Sequence, residues 1–302
     1  MEIKSLSELV EAARSCGKKR LAVAYGQDSH TIEAVYDAYK AGLVEPTLYG
    51  DKATIEAVCA AEGMDVSVFQ IIDEKTDVGC VRRAVAAVMS GDADVLMKGL
   101  VSTDKYMRGI LNKEAGLFPP KGVLSHVTIL EMPGYHKLLT ISDIAVIPLP
   151  DFKQKMKLVS YLASTANLLG IKTPKIACIA PSEQVLPTVV SSYESAILSK
   201  MADRGQLGNV IIDGPLSLDV ALYKDVAEHK KVRGSSIAGD PDCLLFPNIE
   251  SANVFFKSAT HICKGELAAM VMGTKVPCVL TSRGDSSLSK LYSIALACLA
   301  AK

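Results

Sequence analysis

The chain has 302 residues, 49% of them hydrophobic, and its 33 lysines and arginines balance 33 aspartates and glutamates. That length buries a large core in one big domain or two of ordinary size. The zero net charge speaks against nucleic acid as the main partner, and no apolar run reaches the roughly 18 residues that a membrane span requires.

In chain order, MEIKSLSELVEAARSCGKKR carries charges where a signal peptide needs an apolar stretch, so it reads as an amphipathic opening helix of a cytoplasmic protein. RLAVAYG (20–26) reads as a buried strand. A helix follows from Ser29, with Ile32, Val35, Tyr36 and Tyr39 at roughly helical spacing. PTLYG, VFQII, ADVLMKG and the run from Leu124 to Leu130 are further strands, and 52–62, 77–90 and 103–113 are helical. The rhythm resumes with helix 153–169, strand KIACIA, helix 187–201, strand GNVIIDG, helix 217–229, strand DCLLFP and helix 249–262. Near the end, VPCVL leads through SRGDS into a last helix. Strands alternating with helices of this length define an α/β fold with mainly parallel sheets covered by helices. Pro148 and Pro150 in AVIPLPDFKQ mark a domain change near 150.

Eight cysteines are scattered with none closer than 15 residues to another, so no metal-type pairing is present. They read as small buried thiols in a reducing compartment. None of the five histidines (His30, His126, His136, His229, His261) forms HxxxH or HExxH, which speaks against a zinc hydrolase. His126, in LSHVTIL beside Ser125, lies within a strand-like run and reads either as a core histidine or as a catalytic base. Trp is absent, so no aromatic platform for stacking bases is suggested.

In parallel sheets, ligands bind beyond the carboxyl ends of strands, where loops lead into helix N-termini. YGQDSH (25–30) lacks GxGxxG, and Asp28 and Ser29 read as caps. MKGLVSTDKYMRGIL (97–111) lacks a Walker loop but places Lys98, Ser102, Thr103 and Arg108 around a helix start, a possible phosphate cradle or a plain capped helix. In IIDGPLSLDVAL (211–222), Asp213-Gly214-Pro215 stops a strand and Ser217 caps the next helix. FPNIESAN (246–253) sets Asn248 at another helix start. Ser282, Arg283, Asp285 and Ser286 occupy the last strand-to-helix turn, where the helix dipole favours an anion. Together these ends favour a phosphate or a phosphorylated metabolite.

DGPLSLDVALYKDVAEHK, then SSIAGDPDCLLFPNIESANVFFK, then PCVLTSRGDS resemble the phosphate acetyl/butyryltransferase family in order and spacing. MKGLVSTDKYMRGIL and LSHVTILEMPGYHKLLTISDIAVIPLPD extend the likeness, and they look more like the butyryl branch. The resemblance implies two α/β domains facing an active-site cleft: 1–150 completed by 274–302, and 151–273. It also implies reversible, metal-independent transfer of a short acyl group between coenzyme A and inorganic phosphate. No cofactor is permanently bound in that reading; acyl-CoA, phosphate and acyl phosphate are small-molecule substrates, and the chain forms a homo-oligomer. Ser282, Arg283 and Asp285 are then catalytic. Lys98, Ser102, Thr103, Arg108, Ser125, His126, Asp213, Gly214 and Asn248 bind phosphate or CoA.

Ser289 stands where the acetyl branch has an aspartate proposed as thiol base, so Asp285, His126 or a substrate phosphate oxygen are its possible substitutes. Phosphate acetyltransferase is the nearest alternative within the class, since one or two methylenes discriminate by only about 1–3 kcal/mol. A metal-dependent decarboxylating dehydrogenase would need clustered aspartates and a nucleotide loop. A non-catalytic protein that binds CoA or an anion is the alternative from another class.

Overall fold

A computed structural model describes residues 2–282 and 284–301. Contacts divide the chain into two compact units: Leu6–Leu124 with the chain from Leu267 onward, and Ser125–Glu266 with the N-terminal residues up to Ser5.

The first unit opens with α1 (Leu6–Ser15), amphipathic as its spacing predicts, with Leu6, Leu9 and Ala13 buried. Then come β1 (Lys19–Ala24), α2 (Ser29–Lys40), β2 (Val44–Gly50), α3 (Lys52–Ala61) and β3 (Gln70–Asp73). α4 (Asp77–Ser90), β4 (Val95–Lys98) and α5 (Thr103–Leu111) complete this stretch. Local chemistry sets the helix ends. Asp28 accepts from the Thr31 amide at 3.0 Å to cap α2, and Thr76 accepts from the Gly79 amide at 3.2 Å to cap α4. VFQII contributes only its end to a strand, because Val66–Val68 coils into a 3-10 turn.

The second unit begins with β5 (Ser125–Glu131) and β6 (Leu139–Ser142), then α6 (Phe152–Leu168), β7 (Lys175–Ile179), α7 (Val190–Asp203) and β8 (Ile211–Leu216). α8 (Leu218–Leu222), α9 (Lys224–His229), β9 (Cys243–Leu245) and α10 (Ile249–Lys257) follow. The chain returns to the first unit through β10 (Glu266–Met272), β11 (Cys278–Val279) and α11 (Ser287–Ala300).

In the first unit the strand order is β3-β2-β1-β4-β11-β10, parallel except for β10 against β11. Leu21–Ala24 of β1 are fully buried, the signature of a central strand covered on both faces. α4 packs on β1 and β2, and α11 packs on α1 and α2. In the second unit the order is β5-β6-β9-β7-β8, with β5 antiparallel to β6 and the others parallel.

Several particulars depart from the sequence reading. The chain changes unit at Leu124/Ser125 and Glu266/Leu267, whereas Pro148 and Pro150 lie inside the second unit. The pairing of β5 with β6 commits 125–142 to that sheet before the prolines are reached, and Asp151 and Gln154 behind Pro150 form the capping box that starts α6. Helix 217–229 is two short helices, broken by extended backbone at Tyr223, and 249–262 ends in a π-turn over Ser258–Ile262. Ser217 does not cap α8; its hydroxyl lies between the carboxylates of Glu183 and Asp219. Lys230, and then Ser217, hold the Asp219 carboxyl down at about 2. Asp213-Gly214-Pro215 does not stop its strand, because β8 runs on to Leu216. Six cysteines are buried, and desolvation pushes the Cys178 and Cys278 thiols up to about 12; Cys16 and Cys263 are exposed, contrary to the buried reading.

At the amino ends of β6, β7 and β9, Asp240 accepts from Lys175 at 2.5 Å and pairs with Lys137 and His136 at 2.8 Å. Asp242 accepts from Lys137 at 2.6 Å and from the Lys175 amide at 2.8 Å. Burial works to raise the Asp240 pKa, but hydrogen bonds from Lys137, Lys175 and His136 outweigh it and hold the carboxyl far below its ordinary value of 3.8. A depressed folded-state pKa contributes stability that is present above the unfolded value and lost as pH falls. The thermal midpoint should therefore drop as pH falls below about 4, and the drop should be shallower in Asp240→Asn, read by circular dichroism melts across pH.

Candidate functional site

In the first unit the strand order reverses between β1 and β4, the place where open α/β sheets bind ligands. β1 ends in Tyr25-Gly26, β4 in Lys98-Gly99, and β11, in register with β4 through Val279 and Met97, leads into Ser282. The β1 and β4 ends are drawn together by the Gly99 amide donating to the Ala24 carbonyl and the Leu100 amide to the Tyr25 carbonyl, both at 2.9 Å. A Cβ on Gly99 would sit 2.4 Å from the Tyr25 carbonyl oxygen, so only glycine fits.

Lys98 is buried, and its ammonium donates to the Gly99 carbonyl at 3.1 Å. Ser102 caps α5, accepting from the Lys105 amide at 3.4 Å, and Thr103 is exposed in the first turn. α5 is anchored from beneath: the buried Tyr106 hydroxyl donates to the Val279 carbonyl at 3.1 Å, and desolvation lifts its pKa well above the usual tyrosine value. Arg108 points outward, largely exposed, and meets Asp104 at 3.1 Å, so its charge is already partnered within the helix.

Beyond β11 the backbone turns tightly. The Ser282 amide donates to the Asp285 carboxylate at 2.7 Å, the Gly284 amide to Ser282 Oγ at 3.3 Å, and the Asp285 amide to the Ser282 carbonyl at 3.2 Å. Ser286 then caps α11 through the Ser289 amide at 3.0 Å. Asp285 thus shapes the turn with one carboxylate oxygen. Arg283 lies outside the described residues.

In the second unit the order reverses between β7 and β9. Asn248, two residues past Phe246, caps α10 by accepting from the Ser251 amide at 2.9 Å. With Ile179, Ala180, Val190 and Pro247 it lines a largely apolar recess of about 460 Å³. Ser125 and His126 start β5 opposite the end of β6, where Ser125 Oγ and Ser142 Oγ are 3.0 Å apart. Asp143 accepts the His126 amide at 3.3 Å and the Ala145 and Val146 amides at 2.8 and 2.9 Å. The His126 ring is buried, with Nδ1 3.5 Å from Thr128 Oγ1. Asp213 accepts the Gly214 amide at 2.8 Å. Gly214 is required by close packing, since a Cβ there would meet Cys178 Cβ at 2.8 Å where β7 bulges.

The structure thus gathers Lys98, Ser102, Thr103, Ser282 and Asp285 at one end of the first-unit sheet. Ser125, His126 and Asn248 lie at the carboxyl-end side of the second, whereas Asp213 sits within β8, paired with Ala177. Ser142 and Asp143 escape sequence reasoning, although the Ser-Asp pair closing an apolar run in LTISD is a polar strand end like those that drew attention elsewhere.

Three comparisons place the chain among known proteins. A family model described as Phosphate acetyl/butaryl transferase matches residues 5–81 and 78–298. Phosphate butyryltransferase of Clostridium acetobutylicum is 41% identical over 299 residues, covering 99% of both chains. Phosphate acetyltransferase of Thermotoga maritima is 40% identical over 292 residues, covering 96% of this chain and 98% of its own. The crystal structure of a branched-chain phosphotransacylase from Enterococcus faecalis superposes with a TM-score of 0.81 at 27% identity, over 94% of this chain and 100% of that one.

Gly99→Ala should force the β1 and β4 ends apart and destabilise the protein by about 1–3 kcal/mol, as overpacking does. Urea unfolding measures this, and an unchanged midpoint would refute the close-approach argument.

Proposed function

This chain belongs to the phosphate acetyl/butyryltransferase family, and we propose that it transfers a short acyl group, butyryl or branched, reversibly between coenzyme A and inorganic phosphate. The observation that carries the reading is the first-unit switch point, where buried Lys98 and the N-terminal turns of α5 and α11 share one sheet end with Ser282. Backbone amides, hydroxyls and a cation are the donors that a phosphate dianion needs.

In the phosphate-to-acyl direction, a phosphate oxygen attacks the thioester carbonyl and a tetrahedral oxyanion forms. The C–S bond then breaks, and the CoA thiolate leaves and takes up a proton. Arg283 is assigned to bind phosphate and to balance charge on the oxyanion. Ser282 is assigned to donate a hydrogen bond to the reacting carbonyl, with Ser102 and Thr103 supplying donors at the start of α5. Arg108 joins the phosphate by exchanging its Asp104 partner for it. The apolar recess beside Asn248 supports binding of the organic arm of CoA. CoA enters as a substrate and no resident cofactor or metal takes part.

No helix among the described residues is long and apolar enough to cross a membrane, and a cytoplasmic homo-oligomer fits the reading.

Phosphate-dependent release of CoA from acetyl-, propionyl-, butyryl- and isobutyryl-CoA, followed with a thiol reagent, tests the assignment. Release should be fastest with butyryl- or isobutyryl-CoA, and Arg283→Ala should lower kcat/KM by about 100-fold or more. Clear preference for acetyl-CoA would move the chain to the acetyl branch. No release from any thioester would sink the reading.

A further inference from the structure

Two ammonium groups of the second unit are met by carboxylates. Lys155, whose side chain is 5% exposed, has Glu194 at 2.5 Å, and the partly buried Lys137 has both Asp240 and Asp242. Lys290, in the first unit, is bonded differently. It is 4% exposed, it lies in the first turn of α11, and no carboxylate among the described residues comes within ion-pair distance of its ammonium. Its Nζ donates instead to a neutral acceptor, the Asp285 carbonyl, at 3.1 Å. That carbonyl belongs to the turn built on the Ser282 amide and the Asp285 carboxylate.

A buried charge without a counter-charge is costly. Here the cost falls at the N-terminus of a 14-residue helix, where the dipole is already positive. Packing hydrocarbon at this position would relieve both effects. A cation held there makes physical sense when the substrate brings the missing negative charge.

We infer that Lys290 is a positioning residue for the phosphate substrate: its ammonium fixes the Asp285 carbonyl, and so the Ser282 turn, and its charge is balanced when the dianion binds beyond that turn. This rests on the reading that phosphate occupies the Ser282 turn. Lys290 is too deeply buried to serve as a surface contact, so it acts through the turn and through its field. Neither composition nor motif spacing pointed to it, because a lysine eight residues past Ser282 reads as an exposed helix position. Its significance comes from burial and from the missing partner.

The test uses the full-length enzyme with inorganic phosphate as the probe, comparing Lys290→Arg, Lys290→Gln and Lys290→Met with Ser282→Ala. Gln keeps a donor for the Asp285 carbonyl without the charge, Arg keeps both, and Met keeps only the volume. The phosphate KM should rise about tenfold or more in the Gln and Met variants. The KM for acyl-CoA should stay within about twofold, and Arg should recover most of the loss. Calorimetric titration of phosphate into the same variants should show the same order, and thermal melts report folding; if Met fails to fold, Gln against Arg still separates charge from hydrogen bond. An unchanged phosphate KM in Lys290→Gln, with Ser282→Ala strongly impaired, overturns the inference and leaves the functional reading standing. If Ser282→Ala is also unaffected, the reading of the turn itself fails. Parallel rises in both KM values together with a lowered melting temperature would make Lys290 merely structural.

Discussion

One buried hydroxyl ties the first-unit site together. Tyr106 projects from α5 into the space beneath the sheet and donates to the carbonyl of Val279, the last residue of β11. With that bond, the helix bearing Ser102, Thr103 and Arg108 is fixed to the strand that leads into Ser282. A donor buried at this depth needs a partner, and the partner available is the strand that the chain contributes last. The geometry of the site therefore depends on a buried bond just behind the sheet end where substrate is expected. The glycine contact between the β1 and β4 ends completes the frame from the other side.

Both units repeat one device. Each sheet is mainly parallel, each reverses strand order once among its parallel strands, and each presents small polar residues at the carboxyl ends around that reversal. Their opposite ends are built differently. In the second unit the amino ends of three strands are bound by Asp240, Asp242 and the lysines Lys137 and Lys175, a network that neutralises itself. Charges needed for structure are paired internally, while Lys290, at the carboxyl end of the first sheet, has no carboxylate partner among the described residues. That asymmetry separates scaffold from site.

Most of the architecture was legible because buried parallel strands are continuous apolar runs and helices carry a clear 3.6 period. β6 and β10 were passed over for a physical reason. LTIS is four residues long and ELAAMVM has a single β-branched residue among alanines and methionines, so neither stands out from a buried helix segment. Domain limits were misplaced because prolines report local backbone, whereas unit membership is decided by pairing partners distant in sequence. At the site, the residue types at strand ends could be read directly. What they bond to could not: Ser217 turned from cap to carboxylate partner, the Asp285 carboxylate accepts the Ser282 amide, and Asp143 and Lys290 acquired meaning only from burial and distance. Recognition of the family came from ordered motifs over the chain's second half, and the match to known sequences spans nearly its whole length.

The return of the chain end to the first unit has a consequence for biosynthesis. On the ribosome, β1 to β4 emerge first, but Leu96 and Met97 of β4 have no partner on their outer edge until β11 is made. The second unit lies between them and, apart from a short N-terminal strap, is continuous, so it can finish folding while the first waits with an open apolar edge. Such an edge is a template for pairing with other chains. The nascent protein is therefore most vulnerable to aggregation late in synthesis, after much of its mass has folded, and a truncation that removes only its last 25 or so residues would leave that edge permanently exposed.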